Sequence, residues 1–240
     1  MDIIGIIAEY NPFHNGHIYH INKMKELYPN SIIVLILNGY FLERGQVSIE
    51  SVESKTKVAL EYGVDIVIEL PFVFGSNSAD IFSEASIELL NEMKVDKIIF
   101  GSESNDINKL TTLAKEQLNN NYNDSVKEYM NKGLNYPTAL NRALKHNVNE
   151  PNDILGLTYI KSILKNNYNI EPITIKRTNK YHDIKSNDTI ISASNIREKL
   201  KNNTNIDKYL PNIEYINDID YNLLFNLLKY KITTDKNLDK

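Results

Sequence analysis

The stretch "IIGIIAEYNPFHNGHIYHI" (residues 3–21) decides the fold. It opens with an apolar, β-branched run, which is typical of a strand buried on both faces. Pro12 then fixes a loop, and Gly16 permits close backbone approach where a helix is predicted to begin. His14, His17 and His20 lie around this helix start. The stretch therefore predicts a strand, a loop and a helix whose first turns carry imidazoles.

The pattern of the first stretch repeats along the chain. Each apolar run is followed by a segment with helical character, and this alternation predicts an α/β fold with a doubly wound, Rossmann-like parallel sheet and right-handed crossovers. Further strands are predicted at 31–37, 64–70 and 95–101, with a weaker one at 170–176. Helices are predicted at about 16–28, 50–62, 78–93, 106–118, 153–166 and 193–201.

Two segments fall outside this alternation. Residues 119–150 are interpreted as a helical insertion with a helix-like part at 138–146. The segment after about residue 203 is rich in Asn and Asp and ends in a short amphipathic run. We therefore expect a catalytic domain over residues 1–202, and the start of a C-terminal helical region over 203–240.

Composition sets limits on function. The chain has 240 residues, a net charge of −4, 42% hydrophobic residues and no cysteine. Disulfides and thiolate metal sites are thus excluded, and no global basic field indicates a nucleic-acid partner. The apolar N-terminus carries Asp2 and lacks a basic region, so it does not resemble a signal peptide. No apolar stretch reaches the roughly 18 residues of a membrane span, so we expect a cytoplasmic protein without a membrane partner.

The histidines are placed for anion binding. Ligands of doubly wound sheets sit at the carboxyl ends of the strands, and a helix start there offers free N–H groups and a positive dipole end. His14 and His17 flank this start, and with Gly16 they suit a polyphosphate. The spacing His-x-x-His could also bind zinc, but only Glu9 lies near enough to complete the set, so no metal site is predicted. For His20 a structural or capping role and a functional role stay open.

Two short motifs resemble those of the HxGH nucleotidyltransferase superfamily. "HNGH" (14–17) resembles its HxGH motif, which implies that His14 and His17 bind the ATP phosphates and stabilise charge while the α-phosphorus is attacked. "ISASNIR" (191–197) resembles its ISxxxIR element. Serine at a helix start followed by arginine makes a second phosphate clamp. The alternative for this second motif is an ordinary helix cap.

Longer stretches resemble the tRNA(Met) cytidine acetate ligase family. "IIAEYNPFHNGHIYHI" is similar to the N-terminus of that family, and the similarity continues through residues 37–51, 63–90, 95–104, 151–163 and 173–183. The resemblance implies that ATP and acetate form acetyl-adenylate, with release of pyrophosphate. It further implies that the acetyl group passes to N4 of the wobble cytidine of elongator tRNA(Met), without acetyl-coenzyme A. Mg²⁺ is expected to accompany ATP.

The resemblance also implies a set of site residues. The alternative role of Asn152 is a helix cap, and that of Gly101 is a turn glycine. For the lysines proposed below as tRNA contacts, the alternative is a solvated surface position. His146 is expected on the surface, His182 is left open, and Glu69 is expected to be buried and bonded to a neighbouring loop. Tentative tRNA contacts are Arg44, Lys176 and Lys180. The implied ATP contacts are Ile7, Ala8, Glu9, Tyr10, Asn11, Pro12, Phe13, His14, Asn15, Gly16, His17, Ile18, Tyr19, His20, Gly101, Asn152, Arg177, Ser192, Ser194 and Arg197.

The chain is shorter than the family members. "LLFNLLKYKITT" (223–234) resembles the beginning of their C-terminal region, so we expect ATP and acetate chemistry here and weak binding of tRNA. Two other functions stay open. One is a small-molecule adenylyltransferase acting on a phosphopantetheine-like or nicotinate-nucleotide-like substrate, and the other is a non-catalytic ATP- or RNA-binding remnant. The sequence predicts no oligomeric state.

Overall fold

The computed structural model describes residues 1–144, 148–177, 189–211, 216 and 219–238. It contains a five-stranded, all-parallel sheet with the strand order β3-β2-β1-β4-β5. The α/β, doubly wound fold predicted from the sequence is thereby confirmed. The strands are β1 (Ile3–Ala8), β2 (Ile32–Asn38), β3 (Ile66–Leu70), β4 (Lys97–Ser102) and β5 (Glu171–Lys176).

Helices connect the strands and cover both faces of the sheet. Most begin with a side-chain cap, as Ser51 shows by accepting a hydrogen bond from the Ser54 N–H at 3.2 Å. Among the described helices, none combines the length and apolar character needed to cross a bilayer. The helices are α1 (Asn15–Leu27), α2 (Val52–Glu61), α3 (Phe72–Gly75), α4 (Ala79–Glu92), α5 (Ile107–Gln117), α6 (Asn120–Asn131), α7 (Tyr136–Ala143), α8 (Pro151–Asn166), α9 (Ala193–Lys201) and α10 (Tyr221–Thr234).

The central strands divide the core into two layers. Alternate residues of β2 point to opposite faces, so Leu35 joins a cluster with Ile21 of α1, while Ile36 joins a cluster with Leu157 of α8. Continuous apolar runs are therefore required in the central strands, as predicted for β1, β2 and β4. Strands β3 and β5 form the two edges of the sheet and keep exposed positions, so the expectation that they are buried on both faces was wrong.

The Asn-rich start of the insertion forms helix α6, which is capped by Asn119 and buries Tyr122 and Val126. Two local expectations need correction. The helix expected at 138–146 is α7, which begins at Tyr136 and ends at Ala143. Glu69 is exposed rather than buried, because its strand lies at the edge of the sheet.

Candidate active site

The strand order places a large cavity at one point of the sheet. Strands β1 and β4 are neighbours in the middle, and their connections leave in opposite directions, which is where doubly wound folds bind ligands. A cavity of about 1160 Å³ opens there. Its wall includes the loop from β1 into α1, the ends of β4 and β5, and the start of α9. The site predicted from the first stretch of sequence is therefore an open cavity.

Buried contacts anchor the loop between β1 and α1. The Asn11–Pro12 peptide bond is cis. Phe13 is buried and donates its N–H to the Glu50 carboxylate at 2.7 Å. The Asn11 side-chain oxygen accepts the Ile49 N–H at 2.8 Å. The loop is thus tied to the segment before α2, which fixes the position where α1 starts.

The hydrogen bonds of His14 and His17 fix their tautomers. His14 caps α1 by accepting the Gly16 N–H on Nδ1 at 3.0 Å. His17 in turn accepts the His14 N–H on its own Nδ1 at 3.1 Å. Because an accepting ring nitrogen carries no proton, the neutral rings must both hold their proton on Nε2. The two rings stack with centroids 3.9 Å apart, so the helix start offers two adjacent N–H donors.

The environment keeps these rings uncharged. Burial, followed by the nearby Arg177 and Arg197 guanidinium groups, lowers the pKa of His14 to about 3. Burial and the adjacent His14 hold the pKa of His17 well below its usual value. The positive charge of the site therefore comes from the two arginines and the helix dipole, while the histidines contribute neutral donors.

His20 continues the same helical stripe. It lies in the second turn of α1, so a capping role is wrong. Burial lowers its pKa to about 4, with a further contribution from Arg177. Its Nε2 atom is buried without a hydrogen-bond partner among the described residues, although the side chain lines the cavity. A buried polar atom without a partner is unfavourable, and this favours the functional alternative.

Helix α9 closes the cavity from the other side. Ser192 is its N-cap and accepts the Asn195 N–H at 3.2 Å, so the expected cap is present. The Arg197 guanidinium donates to the backbone oxygen of Asn11 at 2.5 Å and to the Ser194 hydroxyl at 3.3 Å. Arg197 thus joins the start of α9 to the loop that carries the histidines, and the two predicted motifs meet in one site.

A carboxylate that the sequence analysis missed organises the wall at β4 and β5. Glu103 follows β4 and accepts the Asn152 side-chain amide at 2.5 Å and the Asp153 N–H at 3.1 Å. Its carboxylate lies 3.7 Å from the Arg177 guanidinium. The side chain of Asn152 is therefore held by Glu103 and does not cap α8, whose N-cap is Glu150. A Cβ atom on Gly101 would lie 3.3 Å from the Arg177 side chain, so the glycine leaves room for it.

A buried lysine, also missed, supports the same edge of the sheet. Lys55 on α2 has no exposed surface and donates to three backbone oxygens: those of Glu9, Asn38 and Gly39, at 3.0, 2.7 and 2.9 Å. Burial lowers its pKa to about 8, against the opposing effect of Glu50. The sequence offered no signal for this residue, because a lysine on an amphipathic helix is usually exposed.

The remaining predicted residues divide between the cavity wall and its support. Arg44 and Lys176 line the cavity, whereas Lys180, His146 and His182 lie outside the described residues. No three His, Asp or Glu side chains converge as metal ligands within the described ranges. Pro12, Phe13, Asn15 and Ile18 do not line the cavity, but Ile7, Ala8, Glu9, Tyr10, Asn11, His14, Gly16, His17, Tyr19, His20, Gly101, Asn152, Arg177, Ser192, Ser194 and Arg197 do.

Comparison with known proteins agrees with this geometry. The family model described as HIGH Nucleotidyl Transferase matches residues 1–239. The tRNA(Met) cytidine acetate ligase of Mycoplasma mobile is 43% identical over 97% of this chain and 80% of its own length. That of Caldicellulosiruptor bescii is 41% identical over 90% of this chain and 56% of its own length.

A solved structure supports the same assignment. Thermotoga maritima TmcAL bound with alpha-thio ATP superposes with a TM-score of 0.79 and 31% identity, covering 97% of this chain. The present chain spans 56% of the length of that chain. The fold, the paired motifs and the sequence identity agree, and the chain belongs to the tRNA(Met) cytidine acetate ligase family of the HIGH nucleotidyl transferases.

Proposed function

We propose that this chain activates acetate with ATP and transfers the acetyl group to N4 of the wobble cytidine of elongator tRNA(Met). One observation carries the proposal: Arg197 joins the starts of α1 and α9 around a single cavity. Two helix starts that line one cavity together with two arginines form a site for a polyphosphate. The acceptor, tRNA(Met), is taken from the names of relatives that are 43% and 41% identical to this chain.

The first step is adenylation of acetate. An acetate oxygen attacks the α-phosphorus of ATP, the new P–O bond forms, and the bond to the β-phosphate breaks to release pyrophosphate. Acetate is already ionised, so no protein base is needed. The Nε2–H groups of His14 and His17 would donate to the phosphate oxygens that gain charge. Arg177 and Arg197 would neutralise the leaving pyrophosphate.

The second step is acyl transfer. The N4 amine of cytidine attacks the acetyl carbon, the bond from this carbon to the phosphate oxygen breaks, and AMP leaves. Arg44 and Lys176 lie at the cavity and are proposed contacts to the tRNA backbone. Mg²⁺ would bind through the ATP phosphates and water, as is common for nucleotide substrates. Because ATP and tRNA are both present in the cytoplasm, the proposed reaction is cytoplasmic.

The acyl donor is the sharpest test of this proposal. Purified protein is incubated with an elongator tRNA(Met) transcript, ATP and radiolabelled acetate, and the label on tRNA is counted. A transcript with uridine at the wobble position is the matched control. We expect label to reach only the cytidine transcript and only with ATP. Label that reaches tRNA from acetyl-coenzyme A but not from free acetate would overturn the proposal.

A further inference from the structure

The cavity has two ends of opposite charge. Arg177 and Arg197 lie at the end formed by β5 and α9. Glu9 and Glu43, which follow β1 and β2, line the other end, where the Arg44 guanidinium lies 3.7 Å from the Glu43 carboxylate. The carboxylates repel both a triphosphate and acetate, so the anionic substrates of the first step belong at the arginine end. The acidic end is left for a ligand that donates hydrogen bonds.

Glu9 is held with one oxygen available. Its Oε1 accepts the Asn38 side-chain amide at 3.2 Å and the Glu43 N–H at 2.7 Å. These two bonds fix the carboxylate between the ends of β1 and β2. Its Oε2 makes no hydrogen bond within the described part of the chain. The side chain lines the cavity, so this oxygen is a fixed acceptor for a ligand.

Tyr159 supplies a second group at the same place. It lies on α8 with 4% of its surface exposed, lines the cavity, and packs its ring edge-on against Phe100. Its hydroxyl has no hydrogen-bond partner among the residues that the structure describes. Burial, followed by Glu9 and Glu43, raises the pKa of the Tyr159 hydroxyl, so it stays protonated and is a donor. A protonated hydroxyl that lines the cavity and has no protein acceptor is available to donate a hydrogen bond to a ligand.

We propose that this acidic end, with Glu9 and Tyr159, is the binding site of the acyl-acceptor nucleobase. Cytosine carries the N4 amine, a donor, beside N3, an acceptor. The Glu9 Oε2 atom accepts from the amine, and the Tyr159 hydroxyl donates to N3. The inference rests on the proposed function, and it assigns the second step to residues other than those that bind ATP phosphates.

Glu9 also has a chemical role in this arrangement. When N4 attacks the acetyl carbon, the C–N bond forms and the C–O bond to AMP breaks. The nitrogen must then lose one of its two protons. Glu9 Oε2, which already accepts from this amine, takes that proton and later releases it to water. A base within hydrogen-bond reach typically contributes 10²–10⁴-fold in rate.

The test compares the two steps in the full chain. Formation of acetyl-adenylate is measured by acetate-dependent exchange of labelled pyrophosphate into ATP. Acetyl transfer is measured with labelled acetate and elongator tRNA(Met). The readout is the ratio of transfer rate to exchange rate. In Glu9→Gln the amide oxygen still accepts from Asn38 and the Glu43 N–H, so loop anchoring is kept. Tyr159→Phe removes only the hydroxyl.

We expect the ratio to fall about 10²-fold in Glu9→Gln and about tenfold in Tyr159→Phe. The matched controls are Glu53→Gln and Tyr40→Phe. The Tyr40 hydroxyl donates to the Glu53 carboxylate at 3.0 Å on the protein surface, and neither residue lines the cavity. The controls should leave the ratio near that of the wild type. A purely structural role would lower both rates together.

The outcomes separate this inference from the function on which it depends. Exchange that requires acetate, with an unchanged ratio in both variants, would keep the proposed function and overturn the acceptor site. An equal loss of both rates would assign Glu9 to loop anchoring and would also overturn it. Tyr159→Phe tests the site by itself if Glu9→Gln fails to fold.

Discussion

His14 combines a structural and a chemical role, and two substitutions separate them. Its Nδ1 caps α1 through the Gly16 N–H, while its Nε2–H is the donor proposed for phosphate. His14→Ala removes both. Loss of a helix cap costs about 1 kcal/mol in the free energy of unfolding. Loss of one preorganised donor to developing charge lowers the rate about 10²–10³-fold.

Asparagine restores only the structural role. It is among the best N-cap residues, and its side-chain oxygen can accept the Gly16 N–H in place of Nδ1. It is too short to present a donor where Nε2 lies. We therefore expect His14→Asn to recover the stability lost in His14→Ala, while its rate of acetate-dependent exchange stays about 10²-fold below wild type.

Urea unfolding measures the free energy of unfolding of each His14 variant. Initial rates of pyrophosphate exchange at saturating ATP and acetate measure its catalytic rate. Exchange by His14→Asn close to wild type would refute the role assigned to Nε2–H. An alanine variant as stable as wild type would refute the role assigned to the cap.

Three further predictions concern residues that the sequence alone did not single out. Lys55→Met leaves three backbone oxygens without their donor and should lower the free energy of unfolding by about 3 kcal/mol in a urea titration. Lys115→Met, at an exposed position of α5, is the control and should change the free energy of unfolding little. Burial raises the pKa of Glu50 to about 7 from 4.5, so the folded state binds more protons between these values, and stability should fall as pH rises from 4.5 to 7. Glu50→Gln should flatten this pH dependence in thermal melts, and an unchanged slope would contradict the assignment. Glu103→Ala releases the Asn152 amide and the Arg177 guanidinium and should raise the KM for ATP about tenfold. Glu92→Ala, at an exposed position, is the control, and an equal KM for ATP in the two variants would contradict the role of Glu103.

The layered fold could be predicted because its central strands carry a local signal. Ile33 and Val34 face opposite layers and are both buried, so the run around them must be continuously apolar. The edges could not be predicted in this way. Which strand lies at an edge depends on strand order, and the apolar run at 64–70 resembles the runs of the central strands.

The helix α6 shows a different limit. Its Asn-rich sequence has low helix propensity, so the sequence predicted a helical insertion without bounds for a helix at this place. The structure forms a helix there because Tyr122 and Val126 bury one face against the core. Tertiary packing thus outweighs the local preference, and single-sequence patterns do not contain that packing.

In the site, motifs with fixed spacing were visible and long-range contacts were not. His14 and His17 lie on one turn and could be placed at the cavity from the sequence. Glu103 meets Asn152 from another part of the chain, and Lys55 meets the oxygens of two strands. Such contacts depend on how separate elements pack, so they became visible only in the structure.

The central claim is that acetate is the nucleophile that this site joins to AMP. Exchange of labelled pyrophosphate into ATP by the purified chain, with and without acetate, measures this directly, since exchange requires reversible formation of the adenylate. The account predicts exchange that depends on acetate and needs no tRNA. Exchange that ignores acetate but appears with a phosphorylated small-molecule nucleophile, such as a phosphopantetheine or a nicotinate nucleotide, would contradict it.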